Sequence, residues 1–195
     1  FHTDAVQAVG HIPVDVYDLG VDMLSASAHK FNGPKGVGFL YIRSGLKVMP
    51  YSDGGAQEFG LRAGTENVAG IVGMAVALKN NCDALEENTR YVEGLASELV
   101  GMLNSSGVKY AMNGGTNRLP GLLSLSFPEF DGEAILHRLD LAGICISTGS
   151  ACNSKSTEIS HVLQAIHLGD KYAKGTIRIS LGKDNIEAVS YTHLR

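Results

Sequence analysis

The chain turns at Ser27-Ala28-His29-Lys30-Phe31-Asn32-Gly33-Pro34-Lys35-Gly36, where an apolar run, residues 21–28, meets a glycine-rich segment. The run predicts a buried strand, so Lys30 lies just after the carboxyl end of that strand. A lysine held there is partly desolvated, which favours the neutral amine that acts as a nucleophile. Ser27 and His29 can hydrogen-bond an anion, and a lysine beside such groups is what a pyridoxal phosphate Schiff base needs. A plain surface turn is the alternative reading of the same residues.

Predicted elements extend from this turn in both directions. Residues 1–4 resemble the end of a strand, residues 21–26 and 36–43 predict strands, and glycines and a proline punctuate a loop over residues 44–66. Helical spacing of apolar residues predicts helices over 67–79 and 85–103. The second half predicts strands at 108–112, 122–127, 144–146 and 176–181, with helices at 133–141 and 161–166. This order indicates a mixed α/β fold, and the pair Asn80-Asn81 is the predicted hinge between two domains.

A second stretch whose residues could take part in catalysis surrounds Cys152. Residues 147–156 are mostly small or polar, so they predict an exposed loop with an accessible thiol. Lys155 lies close enough in sequence to favour the thiolate, which indicates a reactive cysteine. Cys145 stands between Ile144 and Ile146 and is predicted to be a buried structural residue instead. An incidental loop cysteine remains the alternative for Cys152.

The composition excludes several classes of protein. The chain has 195 residues, of which 44% are hydrophobic and 18% charged, with a formal net charge of -4, so it is neither disordered nor a basic nucleic-acid binder. Its apolar runs are too short for a membrane span. The three cysteines are odd in number and irregularly spaced, which favours a reducing, cytoplasmic compartment over a disulfide framework. No spacing of histidines and cysteines predicts a metal site.

Five motifs in order along the chain resemble the cysteine desulfurases, in the class V aminotransferase branch of the pyridoxal phosphate enzymes. The motifs are His2-Thr3-Asp4-Ala5-Val6-Gln7, the Ser-Ala-His-Lys segment with Gly33-Pro34-Lys35-Gly36, Arg62-Ala63-Gly64-Thr65-Glu66-Asn67, Ser150-Ala151-Cys152, and Ile177-Arg178-Ile179-Ser180-Leu181-Gly182. The resemblance implies an α/β fold, the C-terminal part of a fold-type-I pyridoxal-phosphate-dependent transferase. Residues 1–80 would be a remnant of the large cofactor-binding domain, and residues 81–195 the small α+β domain. About half of the family's chain would precede residue 1, and residues 190–195 depart from its final helix.

The resemblance also implies a role for each candidate residue. Lys30 and Cys152 would be catalytic, Arg178 would bind the substrate carboxylate, and the cofactor would be held by Asp4, Gln7, Ser27, His29, Lys30 and Thr65. Asp4 would face the ring nitrogen and Gln7 the phenolic oxygen, although a helix cap at Asp4 is the structural alternative. Thr65 would reach the cofactor of a neighbouring subunit, but it could also be a plain helix cap in competition with Asn67. Arg178 could instead lie on the solvent face of its strand.

The activity implied is removal of sulfur from L-cysteine, giving L-alanine and a persulfide on Cys152. A homodimer and a sulfur-acceptor or iron–sulfur scaffold protein are the implied partners, in iron–sulfur cluster or other thio-cofactor assembly. Other class V enzymes, such as an aminotransferase or a selenocysteine lyase, are the alternatives of the same class. A non-catalytic fragment acting in dimer or scaffold contacts is the alternative of another class, and the isolated chain is expected to be inactive.

Overall fold

A computed structural model of the chain describes residues 1–148 and 159–186. The chain divides into two compact units, Phe1–Glu86 and Glu87–Arg195. Each unit has a hydrophobic core of its own, and no residue belongs to both cores. Among the residues described, no helix is both long and apolar enough to cross a membrane.

The first unit is built on a three-stranded sheet of β1 (His2–Asp4), β2 (Met23–Ser27) and β3 (Gly38–Ile42), in that order. Strand β1 runs parallel to β2, with Asp4 opposite Ser25, and β3 is antiparallel to β2, with Gly38 opposite Ser27. Alternate residues of β2 are buried, which is the pattern of a strand with one face on a core. The buried core side chains are Ala5, Val9, Val21, Leu24, Ala26, Ala28 and Phe31.

Helix α1 (Val68–Asp83) completes the first unit, and α2 (Leu85–Ser105) follows it after one residue. Asn67 caps α1 through its side-chain oxygen, which accepts a hydrogen bond from Gly70 N at 3.1 Å. The helix runs unbroken through Asn80 and Asn81, where the sequence predicted a hinge. One face of α1, with Met74, Ala77 and Leu78, packs on the core of the first unit.

The second unit contains a sheet of β4 (Ala111–Met112), β5 (Leu122–Ser126) and β6 (Thr176–Ser180), all antiparallel. Helices α3 (Gly132–Leu141), α4 (His161–Ala165) and α5 (Asp170–Lys174) lie between β5 and β6 in sequence. Asp131 caps α3 and Ser160 caps α4, each through a side-chain oxygen. The core side chains of this unit come from α2, β5 and β6 and include Ala96, Leu103, Leu123, Leu125 and Ile177.

The predicted α/β fold is confirmed, and most predicted elements lie within a few residues of the observed ones. Residues 144–146 are the exception, because they form no regular strand and only Ser147 makes an isolated bridge, to Arg178. The helix predicted over residues 67–79 is confirmed as part of α1, but its apolar residues are not all buried: Val68 is 65% exposed and Val72 is 57% exposed. The physical reason is that α1 has apolar residues on more than one face, so spacing alone does not identify the face that packs. The division into a cofactor-binding domain, residues 1–80, and a small domain, residues 81–195, stays a prediction.

Candidate active site

Lys30 lies on a single 3₁₀ turn, Ala28–Phe31, which continues directly from the carboxyl end of β2. Phe31 anchors the turn because its side chain is fully buried in the core. The turn ends at Asn32, whose φ of 64° is left-handed, and the Gly33 N–H then bonds Ala28 O at 2.8 Å. Gly33 allows this close return, since a Cβ there would lie 2.9 Å from the Ala28 Cβ. The lysine is therefore half-buried on a backbone fixed at both ends.

Two side chains from other parts of the first unit bind the backbone at the end of this turn. His11 Nε2 donates to Lys30 O at 2.7 Å, and Asn81 Nδ2 donates to Phe31 O at 2.7 Å. Neither residue was predicted from the sequence to belong to the site. Asn81 could have been recognised because it falls three and four residues after Leu78 and Ala77, within the stripe that packs on the core.

Ser27 and His29, the predicted phosphate ligands, are in direct contact. Ser27 Oγ and His29 Nδ1 form a hydrogen bond of 2.8 Å. If Nδ1 carries the proton and donates it to Oγ, the serine O–H stays available to donate to an anion. The histidine side chain is exposed and the serine half-buried, so the pair is accessible from outside the sheet.

Asp4 ends the strand that runs parallel to β2. Its Oδ1 accepts a hydrogen bond from Val6 N at 3.0 Å, a local contact that caps the following turn, although no helix begins there as the structural alternative requires. Its Oδ2 accepts no hydrogen bond from the residues described, so the cap and a ligand contact are compatible. Gln7 lies in the following turn with an exposed side chain.

Thr65 lies in the loop before α1 and is exposed. The helix cap is Asn67, so the competition between these two residues is resolved in favour of Asn67. The Thr65 side chain makes no hydrogen bond within residues 1–148 and 159–186, and the function of its hydroxyl stays a prediction.

Arg178 lies on β6 of the second unit, opposite Ser124 of β5. The side chain is half-buried, and its Nε is fully buried without a hydrogen-bond partner among the described residues. A buried guanidinium nitrogen without an acceptor is costly, and a carboxylate would satisfy it. This observation favours the predicted anion-binding role over a solvent-facing arginine.

The predicted nucleophile Cys152 falls outside the described residues, as does Lys155. The last residues described before them are anchored: Ser147 N bonds Arg178 O at 3.0 Å, and Thr148 Oγ1 donates to Glu133 Oε1 at 2.7 Å. Cys145 is exposed, which corrects the prediction of a buried structural thiol. The two neighbouring isoleucines did not bury it because the segment does not join the sheet as a strand.

Asp4 and the group of Ser27, His29 and Lys30 thus lie at the carboxyl ends of two adjacent parallel strands, with Asp4 opposite Ser25. Ligands of α/β proteins bind outside such strand ends. A carboxylate, two anion-binding side chains and a lysine in this position fit pyridoxal phosphate, which carries a pyridinium nitrogen, a phosphate and an aldehyde. Within the residues described, Lys30 Nζ has no hydrogen-bond or ion-pair partner, so its amine is available to such a group. Arg178 belongs to the other unit.

Comparison with known proteins gives a consistent result. Residues 1–188 match the family described as aminotransferase class-V. A curated relative named cysteine desulfurase IscS, from Dictyoglomus turgidum, is 51% identical over 183 residues, which are 93% of this chain and 46% of the relative. The solved structure of a NifS-like protein superposes with a TM-score of 0.86 at 42% identity, over 97% of this chain and 48% of its own.

Another solved structure, described as SspA in complex with cysteine, superposes with a TM-score of 0.72 at 35% identity, over 95% of this chain and 51% of its own. The chain spans about half the length of the relatives that it matches. The family match covers nearly the whole chain and includes every described candidate residue, from Asp4 to Arg178. The chain therefore belongs to the class V aminotransferase family.

Proposed function

We propose that this chain carries catalytic residues of a pyridoxal-phosphate-dependent cysteine desulfurase. The observation that carries the proposal is the placement of Asp4, Ser27, His29 and Lys30 at the carboxyl ends of the adjacent parallel strands β1 and β2. Relatives named cysteine desulfurase, at 46–51% identity among the first matches, support the choice of reaction within the family. The cysteine complex of SspA supports L-cysteine as substrate.

The proposed binding roles follow from the chemistry of each side chain. The phosphate would be held by Ser27 and His29, whose side chains are in contact, the ring nitrogen by the Asp4 carboxylate, and the phenolic oxygen by Gln7. Arg178 offers its guanidinium to the α-carboxylate of L-cysteine, for which its buried Nε is a ready donor. When bound, pyridoxal phosphate supplies an electron sink that makes the substrate Cα–H acidic.

Lys30 and Cys152 carry the reaction in this proposal. Lys30 Nζ accepts the proton from the substrate Cα, which requires the neutral amine. The Cys152 thiolate attacks the substrate sulfur, so that a new S–S bond forms while the C–S bond breaks and its electron pair stays on the substrate carbon. Protonation of that carbon, together with return of the proton from Lys30 Nζ to Cα, completes L-alanine. The sulfur remains as a persulfide on Cys152 for transfer to a sulfur acceptor or an iron–sulfur scaffold protein.

We further propose that the protein acts as a homodimer in the cytoplasm, with Thr65 directed to the cofactor of the partner subunit. The homodimer is supported by an apolar face of α1 that a partner subunit would cover. On this face Val68, Val72 and Val76 recur every fourth residue, and each is more than half exposed. Support for a reducing compartment comes from Cys82 and Cys145, which are both free.

The proposal is tested first by locating the site of cofactor attachment. The chain is incubated with pyridoxal phosphate, reduced with borohydride and mapped by peptide mass spectrometry. We expect the adduct on Lys30, its loss in Lys30→Ala, and its retention in the matched control Lys35→Ala, because Lys35 lies just beyond the same turn but is exposed. If Lys30→Ala still formed a reducible adduct at the cofactor site, the assignment of Lys30 would be contradicted.

The second arm tests the sulfur chemistry. Incubation of the full-length protein with pyridoxal phosphate and L-cysteine should add one sulfur atom to Cys152, and Cys152→Ser should abolish this gain while leaving cofactor attachment unchanged. Sulfur on Cys82 or Cys145 instead would overturn the choice of nucleophile. Alanine formation without any persulfide would favour another reaction of the class V family.

A further inference from the structure

The two backbone carbonyls at the end of the Lys30 turn are both bound by side chains from distant parts of the chain. A helical turn leaves its last carbonyls without partners inside the helix. Here His11 Nε2 donates to Lys30 O and Asn81 Nδ2 donates to Phe31 O, both at 2.7 Å. The peptide groups on the carboxyl side of the lysine are thus fixed from two directions, by the turn after β1 and by α1.

Asn81 is an unusual residue for its position. It is 8% exposed and is the one buried polar side chain among the described residues of the first unit. Burying an amide is costly unless its hydrogen bonds are made. Both Nδ2 hydrogens are used, one on Phe31 O and the other on Ala77 O at 2.8 Å. A leucine would fill the same stripe of α1 but would leave the Phe31 carbonyl without this donor.

We propose that Asn81 is a positioning residue that fixes the direction of Lys30 toward the cofactor, with His11 as its second support. This inference rests on the proposed function of Lys30. The lysine side chain has several rotatable bonds, so the position of its amine depends on how firmly its backbone origin is held. Phe31 is buried next to it, and Asn32 takes up the left-handed bend, so loss of the Asn81 bond frees the peptide between them.

The chain offers an internal reference for the test. Lys35 lies five residues after Lys30 and is exposed, and no side chain described by the structure binds its backbone carbonyl. The ratio of borohydride-fixed pyridoxal phosphate on Lys30 to that on Lys35 therefore reports positioning of Lys30. This ratio does not depend on catalytic turnover or on the amount of protein in the sample. It is used only for samples in which amide hydrogen exchange shows β2 to be protected.

The variant is Asn81→Leu, and the matched control is Asn80→Leu, which changes the neighbouring exposed asparagine of the same helix. We expect Asn81→Leu to lower the Lys30:Lys35 ratio about tenfold, which is the order of one lost hydrogen bond to a buried group. It should also speed amide exchange within residues 28–33 while residues 122–126 of the second unit stay unchanged. Asn80→Leu should match the parent chain in both measurements.

Three outcomes decide the matter. A parent chain that labels Lys30 no more than Lys35 overturns the proposed function and this inference with it. If the parent chain labels Lys30 in preference to Lys35 and Asn81→Leu does so equally, this inference alone is overturned. If the amide hydrogens of β2 lose their protection in Asn81→Leu, the labelling ratio is measured in His11→Phe instead. His11 is exposed, so its replacement leaves the core in place. A reduced ratio in His11→Phe then supports the inference, and an unchanged ratio overturns it.

Discussion

Gly10 shows how one absent methyl group shapes the surroundings of Lys30. Its φ is +79°, and a Cβ at this position would lie 2.9 Å from the Phe31 Cβ. The side chain that anchors the lysine turn therefore packs directly against the Gly10 backbone. Neighbouring His11 then reaches the Lys30 carbonyl from the same turn.

We predict that Gly10→Ala destabilises the first unit more than Gly20→Ala does. Both glycines are left-handed, which costs an alanine about 1–2 kcal/mol, but a methyl group on Gly20 would have nothing within 4 Å. The extra loss at Gly10, about 1–3 kcal/mol, would come from displacing Phe31. Urea titration of amide protection across residues 23–27 measures the difference. Equal losses in the two variants would contradict the packing argument.

Single residues also mark where sequence reasoning succeeded and where it stopped. The order of motifs sufficed to identify the family, and the end of β2 explains why Ser27, His29 and Lys30 lie together. Cys145 was misjudged because its apolar neighbours do not enter the sheet. Asn81 was missed as a contact of the lysine turn because the bond spans fifty residues of sequence and depends on how α1 packs.

At the scale of elements, the second sheet contains a buried chain of hydroxyl groups. Ser126 and Thr176 are paired across β5 and β6, and their oxygens lie 2.7 Å apart. Asn113 Nδ2 donates to Ser126 Oγ at 2.7 Å, and Thr176 Oγ1 donates to Tyr172 O at 2.9 Å. These hydrogen bonds link four elements or their ends, and they fix the register of β6, the strand that carries Arg178.

We predict that Ser126→Ala and Thr176→Val each lower the free energy of unfolding by about 1–3 kcal/mol, because each removes two buried hydrogen bonds. The double variant should lose less than the sum, by about 1 kcal/mol, since both partners are then gone. Ser180→Ala, on the exposed end of the same strand, is the control with little effect. Protection of residues 122–126 in urea provides the measurement, and strict additivity would contradict the coupling.

Periodicity predicted the longer elements well, for a physical reason. Helix α2 buries Val92, Leu95 and Leu103 at helical spacing, and β5 alternates around its buried leucines. Helix α5 was missed, because Asp170–Lys174 spans little more than one turn and carries no repeating apolar face. Short elements depend on tertiary contacts that local sequence does not encode.

At the scale of the whole molecule, the two cores are made from separate parts of the chain. All residues of the first core, buried or partly buried, fall within residues 5–78, and all those of the second within residues 96–181. The pair Asn80-Asn81 was the predicted hinge, and it lies inside α1. The compact units divide at Glu86–Glu87, and the predicted division into domains after residue 80 stays a prediction.

We predict that matched truncations in the two cores act locally. Leu24→Ala and Leu125→Ala each remove an equivalent side chain that is almost fully buried, at a cost of about 2–5 kcal/mol. Leu24→Ala should raise amide exchange in β2 and β3, and Leu125→Ala should raise it in β5 and β6. Exchange mapped by mass spectrometry distinguishes the two patterns. Equal acceleration in both sheets by either variant would show that the chain unfolds as one cooperative unit.

The Asn32-Gly33 step, at the end of the lysine turn, also has a consequence for chemical ageing. An asparagine followed by glycine deamidates when the next backbone nitrogen attacks the side-chain amide. In the folded chain the Gly33 N–H is held by Ala28 O at 2.8 Å, and Asn32 is fixed with a φ of 64°. The nitrogen that would start the damage is therefore engaged as long as the turn is intact. Accumulated isoaspartate at residue 32 would record the time that each molecule has spent with this turn open.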